Sequence, residues 1–290
     1  MYWIDNGFLR LEIAAQGAQW RSLQSHGSGR HWLWSGDATY WSGVAPLLFP
    51  VIGAMRNGQY RYQGKTYTMP KHGFLRDSTP DLLRHARDEV RFRLLDSEAS
   101  RAYYPFAFQV DIRYALHDDT LKTTLKVRNR DTVPMPFAIG GHPAFRIPLS
   151  NVEQYSDYAI HFNQDRALDV YSILPSGLVS DNTYPLSLPD GVLPLEKSLF
   201  DNDALVLKKF RSNQFRLAGV HSGASVTMTI EGFKAFGIWA APGADFVCLE
   251  PWTGTADTVN DSGDISEKEG IAMLPPGEQF RCGFSLRFED

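Results

Sequence analysis

Apolar and polar residues alternate along much of this chain with a period of two. Leu9, Leu11 and Ile13 are interleaved with Arg10 and Glu12, and Val90, Phe92 and Leu94 with Arg91 and Arg93. Successive side chains of a strand point to opposite faces, so each run predicts a strand with one buried face. The longest example joins Phe106 through Leu116 to Leu121 through Val127 across the polar break His117-Asp118-Asp119, which predicts an antiparallel hairpin. A second hairpin is predicted for 60–62 and 66–69 about a turn at Gln63-Gly64.

Shorter strands are predicted at 158–162, 204–208, 214–218, 225–230, 235–240, 246–250 and 280–288. Turn residues punctuate them at a density that suits a large antiparallel sandwich, and no stretch keeps a helical period beyond about two turns. A parallel dinucleotide-binding sheet needs strands alternating with helices, and neither a phosphate loop nor a GxGxxG after a strand is present. There is no repeat of fixed period. The Pro- and Gly-rich stretch 172–194 reads as a surface excursion rather than a linker. The prediction is an all-β chain, one large antiparallel β-sandwich with residues 1–290 as a single domain, since sandwiches of this length often form one unit.

Composition narrows the function classes. The chain is 43% hydrophobic and 21% charged with a net charge of −4, enough apolar material for a core and too little positive charge for a general nucleic-acid binder. Aromatics at 13% favour strands and ring-stacking surfaces. The longest apolar stretch, Val44 to Met55, is interrupted by Pro46, Pro50 and Gly53 and falls far short of the roughly 20 residues of a membrane helix. No basic segment followed by an apolar one opens the chain, so no secretory leader is expected. Cys248 and Cys282 make no disulfide framework and show no zinc spacing, which predicts reduced thiols and a cytoplasmic protein.

Three segments depart from ordinary strand-and-turn sequence: Pro70 to Asp77 with His72, Ile139 to Phe145 with His142, and Cys248 to Gly254 with Glu250. Each sets an ionisable group beside an aromatic in a loop-forming context. His142 lies between Gly141 and Pro143, at an irregular strand end; Pro251 directly follows Glu250 and is expected to end the ladder there. A histidine and a glutamate brought together form an acid and base pair working near neutral pH. A satisfied structural histidine and a solvated glutamate fit the same local sequence, and the residues alone leave both readings open. Asp257, Asp261 and Asp264 miss the calcium-loop spacing and read as a solvated acidic loop. Trp32, Trp34 and Trp41 read mainly as core.

Taken in order, Leu48-Phe49-Pro50 with Asn57-Gly58, His72-Gly73-Phe74 with Arg76, Gly141-His142-Pro143-Ala144-Phe145, Asn202-Asp203-Ala204-Leu205, Glu250-Pro251-Trp252-Thr253-Gly254 and Leu274-Pro275-Pro276-Gly277-Glu278 span nearly the whole chain. The combination resembles the aldose 1-epimerase superfamily, the galactose mutarotase-like proteins, and within it the LacX-type branch. The resemblance implies one large β-sandwich and cofactor-free, metal-free interconversion of sugar anomers, with a small sugar as the partner, no nucleic acid and no membrane, in a monomer or homodimer. It makes Glu250 the base that takes the anomeric hydroxyl proton, His142 the acid at the ring oxygen, His72 a second site histidine, and Asp203, in preference to Asp201, the carboxylate that binds hydroxyls. Phe74, Phe145 and Trp252 are then expected to stack on the sugar. The family's substrate-binding arginine falls at Ala54 here, so Arg56, on the same face of an extended segment, and Arg76 are the candidate replacements. The competing readings are a hexose-6-phosphate 1-epimerase anchored by Arg56 and Arg76, and a sugar-binding protein without catalysis. A glycosidase calls for two facing carboxylates, and only Glu250 stands at such a motif.

Overall fold

The alternating runs become strands close to where the sequence puts them. In a computed structural model that describes all 290 residues, Leu9–Ile13, Glu89–Leu95, Tyr158–Phe162, Gln214–Gly219, Ser225–Glu231 and Gln279–Glu289 are strands, and the long hairpin is Phe108–His117 with Thr120–Asn129. Val110, Ile112 and Tyr114 turn one face of that hairpin inward. The one α-helix is Glu98–Tyr103, capped by the Ser97 hydroxyl, which accepts from the Ser100 amide.

Two antiparallel sheets carry the fold. Nine strands run in the order Val192–Pro194, Tyr158–Phe162, Gln214–Gly219, Ser225–Glu231, Gln279–Glu289, Thr120–Asn129, Phe108–His117, Glu89–Leu95 and Asp81–His85. The second sheet runs Val179–Ser187, Ala167–Ile173, Leu205–Leu207, Ala235–Trp239, Phe246–Trp252, Gly140–Gly141 and Leu47–Leu48, with Ala144–Arg146 also paired to Phe246–Trp252. Phe215 of the first sheet stacks on Phe236 of the second with ring centroids 3.9 Å apart, and 71 buried residues form one continuous core cluster. Apolar burial on this scale is the dominant favourable term in folding.

The strand Phe246–Trp252 is buried on both faces, so it cannot alternate apolar with polar. Its partners show which face does what. Leu249 lies opposite Ile238, and Pro251 opposite Phe236, on the core side; Cys248, Glu250 and Trp252 lie opposite Trp239, Gly237 and Ala235 on the other side. The site therefore occupies the face of the second sheet turned away from the first.

Two expectations are corrected here. Pro251 does not end the ladder: the strand continues through Trp252, whose carbonyl accepts from the Lys234 amide at 2.9 Å. An antiparallel residue spends its N–H on one neighbour only, so one missing donor removes one rung and leaves the next intact. The stretch 172–194 is not a bare excursion, because Val179–Ser187 pairs with Ala167–Ile173 as an edge strand. Solvent on its outer side lets polar residues and Pro185 sit there, which hid it from an alternation test. The strands Tyr2–Asp5, Trp20–Ser25 and Asp81–His85 were likewise not predicted.

Candidate active site

His142 and Glu250 meet through sheet register. Gly140 lies opposite Trp252 and Ala144 opposite Cys248, which sets His142 directly across from Glu250 on the same face even where Pro143 interrupts the rungs. The His142 amide donates to Pro46 O at 3.0 Å, and the Leu249 amide donates to Pro143 O at 3.2 Å, fixing the irregular segment from both sides. Nε2 of His142 stands 3.1 Å from Oε2 of Glu250. Oε2 makes no hydrogen bond. Both residues are buried, Glu250 at 1% exposure and His142 at 8%.

His72 reaches the same place by a different device. It holds φ +68° and Gly73 φ +72°, two consecutive left-handed residues. A side chain at position 73 is impossible, since a Cβ there would sit 2.1 Å from Phe49 O. Strain of about 1–3 kcal/mol at a non-glycine residue in this region persists only where surrounding contacts impose it. Here the His72 amide donates to Gly53 O at 2.8 Å, and its Nδ1 accepts from the Gly53 amide at 3.0 Å. That bond leaves Nε2 as the protonated nitrogen of the neutral ring, and the His72 and His142 ring centroids are 5.8 Å apart.

A cavity of about 330 Å³ gathers His72, His142 and Glu250 with Lys71, Arg76 and Asp203. It lies at the small end of ligand cavities, roughly 300–1,000 Å³. Trp41, Trp239 and Trp252 supply its aromatic walls. Trp252 lies across Gly237, where a Cβ would come within 2.3 Å of the indole. Gly237→Ala is therefore expected to cost about 1–3 kcal/mol in urea unfolding, the usual penalty of overpacking, and a variant as stable as the wild type would show that the indole moves freely. Asp203, at φ +72°, accepts from the Ala204 amide through Oδ1 at 2.8 Å and lines the cavity; Asp201 does not.

Arg56 and Phe74 lie elsewhere, as does Phe145. The Arg56 guanidinium donates to Val259 O and Ser262 O, both at 3.4 Å, and its amide donates to Asp257 Oδ2 at 2.8 Å. The segment is not extended as the face argument requires: Arg56–Gly58 is a tight turn with Asn57 at φ 57°, which swings the side chain toward the 259–262 loop. Arg56→Ala should accordingly leave KM within about twofold while Arg76→Ala raises it, as measured by saturation kinetics; the reverse order would restore Arg56 to the cavity. Phe74 follows the left-handed pair at 72–73 and points into the core against Phe49 and Phe108, with centroids 6.2 and 5.9 Å away. Phe145 is fully buried. Asp257 is no solvated loop residue either: it is 1% exposed and its Oδ1 accepts from Lys268 Nζ at 2.6 Å.

A family model described as aldose 1-epimerase matches residues 1–287. The chain belongs to the aldose 1-epimerase family. It is 29% identical to the chromosomal LacX protein of Lactococcus lactis subsp. lactis, the match covering 98% of this chain and 97% of the relative, which sets it in the LacX-type branch. A galactose mutarotase related enzyme from Lactobacillus acidophilus superposes with a TM-score of 0.94 at 30% identity, covering 100% of this chain and 97% of the other. A galactose mutarotase-like protein from Lactobacillus casei gives 0.92 at 29% identity with full coverage of both chains. The fold is thus galactose mutarotase-like, and the family is one of carbohydrate epimerases.

Electrostatics in this family member follow from burial. Burial pushes the Glu250 carboxyl well above its ordinary range; nearby Lys71 opposes this and Asp203 adds to it. Burial likewise pushes His142 down to about 3, opposed by its own backbone carbonyl and assisted by the Lys71 and Arg76 cations, and holds His72 well below its ordinary value, assisted by His142. Low polarity disfavours every charged form, so the resting pair favours a carboxylic acid beside a neutral imidazole. His142, Cys248 and Glu250 also offer ligand atoms within 4.8 Å of one another. Burial and Glu250 raise the Cys248 thiol well above its ordinary value.

Lys71 and Trp239 went unassigned in the sequence. Lys71 stands beside His72 in a motif read for its histidine, and its carbonyl accepts from Arg76 Nη2 at 2.9 Å, tying the two cations of the rim together. Trp239 was detectable only as part of a strand, since its exposure to the cavity depends on its place opposite Cys248.

Proposed function

We propose that this aldose 1-epimerase family member interconverts the α and β anomers of a free, unphosphorylated aldose by general acid and base catalysis, as a single cytoplasmic domain needing no cofactor. The observation that carries this reading is the 3.1 Å approach of His142 Nε2 to Glu250 Oε2 on the wall of a small aromatic cavity. Ring opening removes a proton from O1 and delivers one to O5. Both oxygens are bonded to the same anomeric carbon, so an acid and a base that are neighbours, rather than groups on opposite sides of the ring, match the two positions.

Opening requires carboxylate and imidazolium: Glu250 takes the O1 proton, His142 gives one to O5, the C1–O5 bond breaks, and the pair becomes carboxylic acid and neutral imidazole. The aldehyde rotates, and closure from its other face runs the same transfers backward. The uncharged pair that burial favours is therefore the closing form, and each turnover visits both. Lys71 favours the carboxylate at Glu250 and opposes the proton on His142, so its charge acts on both members of the pair in opposite senses. His72, through its Nε2–H, and Arg76 and Asp203 bind hydroxyls, while Trp252 stacks on an apolar sugar face.

The phosphate reading now rests on Lys71 and Arg76, because Arg56 is turned away. A pure binder has no need of a buried, unpartnered carboxylate, which is costly to desolvate. Anomer exchange measured by NMR on a panel of free aldoses and hexose 6-phosphates tests the reading. Exchange of galactose or glucose is expected; stimulation about a hundredfold greater for glucose 6-phosphate would replace it, and activity on none would favour the binder. Turnover should also survive exhaustive chelation with EDTA, since every step is a proton transfer, and a loss restored by a divalent ion would show that metal is required.

A further inference from the structure

No hydrogen bond from a neighbouring residue sets the orientation of His142 through Nδ1. A functional histidine ordinarily gives its second ring nitrogen to a carbonyl or carboxylate, which sets its tautomer and ring angle. Here Nδ1 is buried and has no partner. Two tryptophans hold the ring instead. Trp41 stacks on its face with centroids 4.8 Å apart and planes 28° from parallel, and Trp239 meets it edge-on at 5.6 Å and 87°. Trp41 is itself fixed: its carbonyl accepts from Trp34 Nε1 at 2.8 Å, its amide donates to Asp37 O at 2.9 Å, and its ring covers Gly43, where a Cβ would come within 2.4 Å.

The charges around His142 leave Trp41 a second task. Glu250 faces it at 3.1 Å from the neighbouring strand, with the neutral Cys248 thiol on the same strand. His72, Lys71 and Arg76 face it from the 70–77 segment, and the two cations oppose a proton on the imidazole. Asp203 acts on Glu250. Glu250 and the backbone carbonyl of His142 itself favour an imidazolium, and the π-face of Trp41 adds to them, a tryptophan face being the strongest of the aromatic partners for a cation.

We propose that Trp41 is a positioning residue for His142, its indole face both setting the ring plane and supporting the imidazolium that protonates the ring oxygen. The inference rests on the acid role given to His142 above. A tryptophan present only to stack on sugar would act on KM alone.

The test compares Trp41→Leu and Trp41→Phe with the wild type, all first shown folded by circular dichroism. NMR titration of ¹³C-histidine-labelled protein, with His142→Asn to assign the signal, reads His142 directly and needs no substrate. Trp41→Leu should lower its proton affinity about tenfold, one pH unit in the midpoint, and Trp41→Phe should restore most of that. In turnover, Trp41→Leu should lower kcat about tenfold with KM within about threefold, and move the acid limb of the pH profile down by about one unit. Equal midpoints in wild type and Trp41→Leu, or an imidazole neutral in both throughout the folded pH range, would overturn the proposal. So would a change confined to KM. A wild type without anomer exchange would instead count against the proposed function, while the titration still decides the role of Trp41.

Discussion

Glu250→Gln is expected to lower kcat by about 10²-fold or more, with KM within about threefold of the wild type. Glutamine keeps the shape and the hydrogen-bonding reach of the side chain but cannot take the O1 proton, so binding survives and proton transfer does not. The same substitution makes a second, opposite forecast for stability. Burial raises the Glu250 pKa in the folded chain. Its contribution is therefore fully present below the ordinary carboxylate value and is lost as pH rises through the folded one. An amide carries no such penalty, and Glu250→Gln should be at least as stable as the wild type in urea at pH 8. A residue kept at a cost in stability and needed for rate is the signature of a functional group. A folded variant within threefold of the wild-type rate would remove Glu250 from the mechanism.

His142→Asn should lower kcat by a comparable factor, about 10²-fold, and abolish the bell-shaped pH profile that needs both members of the pair correctly protonated. The bell reports the pair's apparent constants rather than those of either residue. Stability again gives a readout free of kinetics. Burial pushes His142 down to about 3 in the folded chain, whereas an unfolded histidine titrates near 6.5. The unfolded state thus binds the extra proton as pH falls below that value, and the wild type should lose about 2 kcal/mol from this group between pH 7 and 5. His142→Asn should lose correspondingly less over that interval, by urea midpoints at the two pH values. Equal losses would show that His142 is protonated in the folded protein at pH 5.

Where one face of a strand meets solvent and the other the core, the period of two is written into the residues, and the hairpin at Phe108–His117 and Thr120–Asn129 could be read from them. Where a strand is buried on both faces, as at Phe246–Trp252, or lies at an edge, as at Val179–Ser187, alternation disappears and the sequence predicts a boundary too early or no strand at all. Motifs brought forward His72, His142, Asp203, Trp252 and Glu250 because their local sequence is unusual: glycines beside a histidine, a proline after a glutamate. They could not say which way a side chain points. Arg56 carries the right charge near the right place, yet the turn at Asn57 aims it at loop carbonyls, and the left-handed pair at 72–73 sends His72 into the cavity and Phe74 into the core.

The sequence by itself determined the strand-rich architecture and the family to which it belongs, and it put forward a candidate acid and a candidate base, since each depends on residue type and local order. Only the tertiary structure decided that His142 and Glu250 are cross-strand neighbours, that Lys71, Trp41 and Trp239 complete the wall around them, and that both ionisable groups are held away from water. The physical reason is that register, burial and the field at a buried group are sums over residues far apart in the chain. The separation of 108 residues from His142 to Glu250 in sequence collapses to 3.1 Å only when the ladder between Gly140 and Trp252 closes.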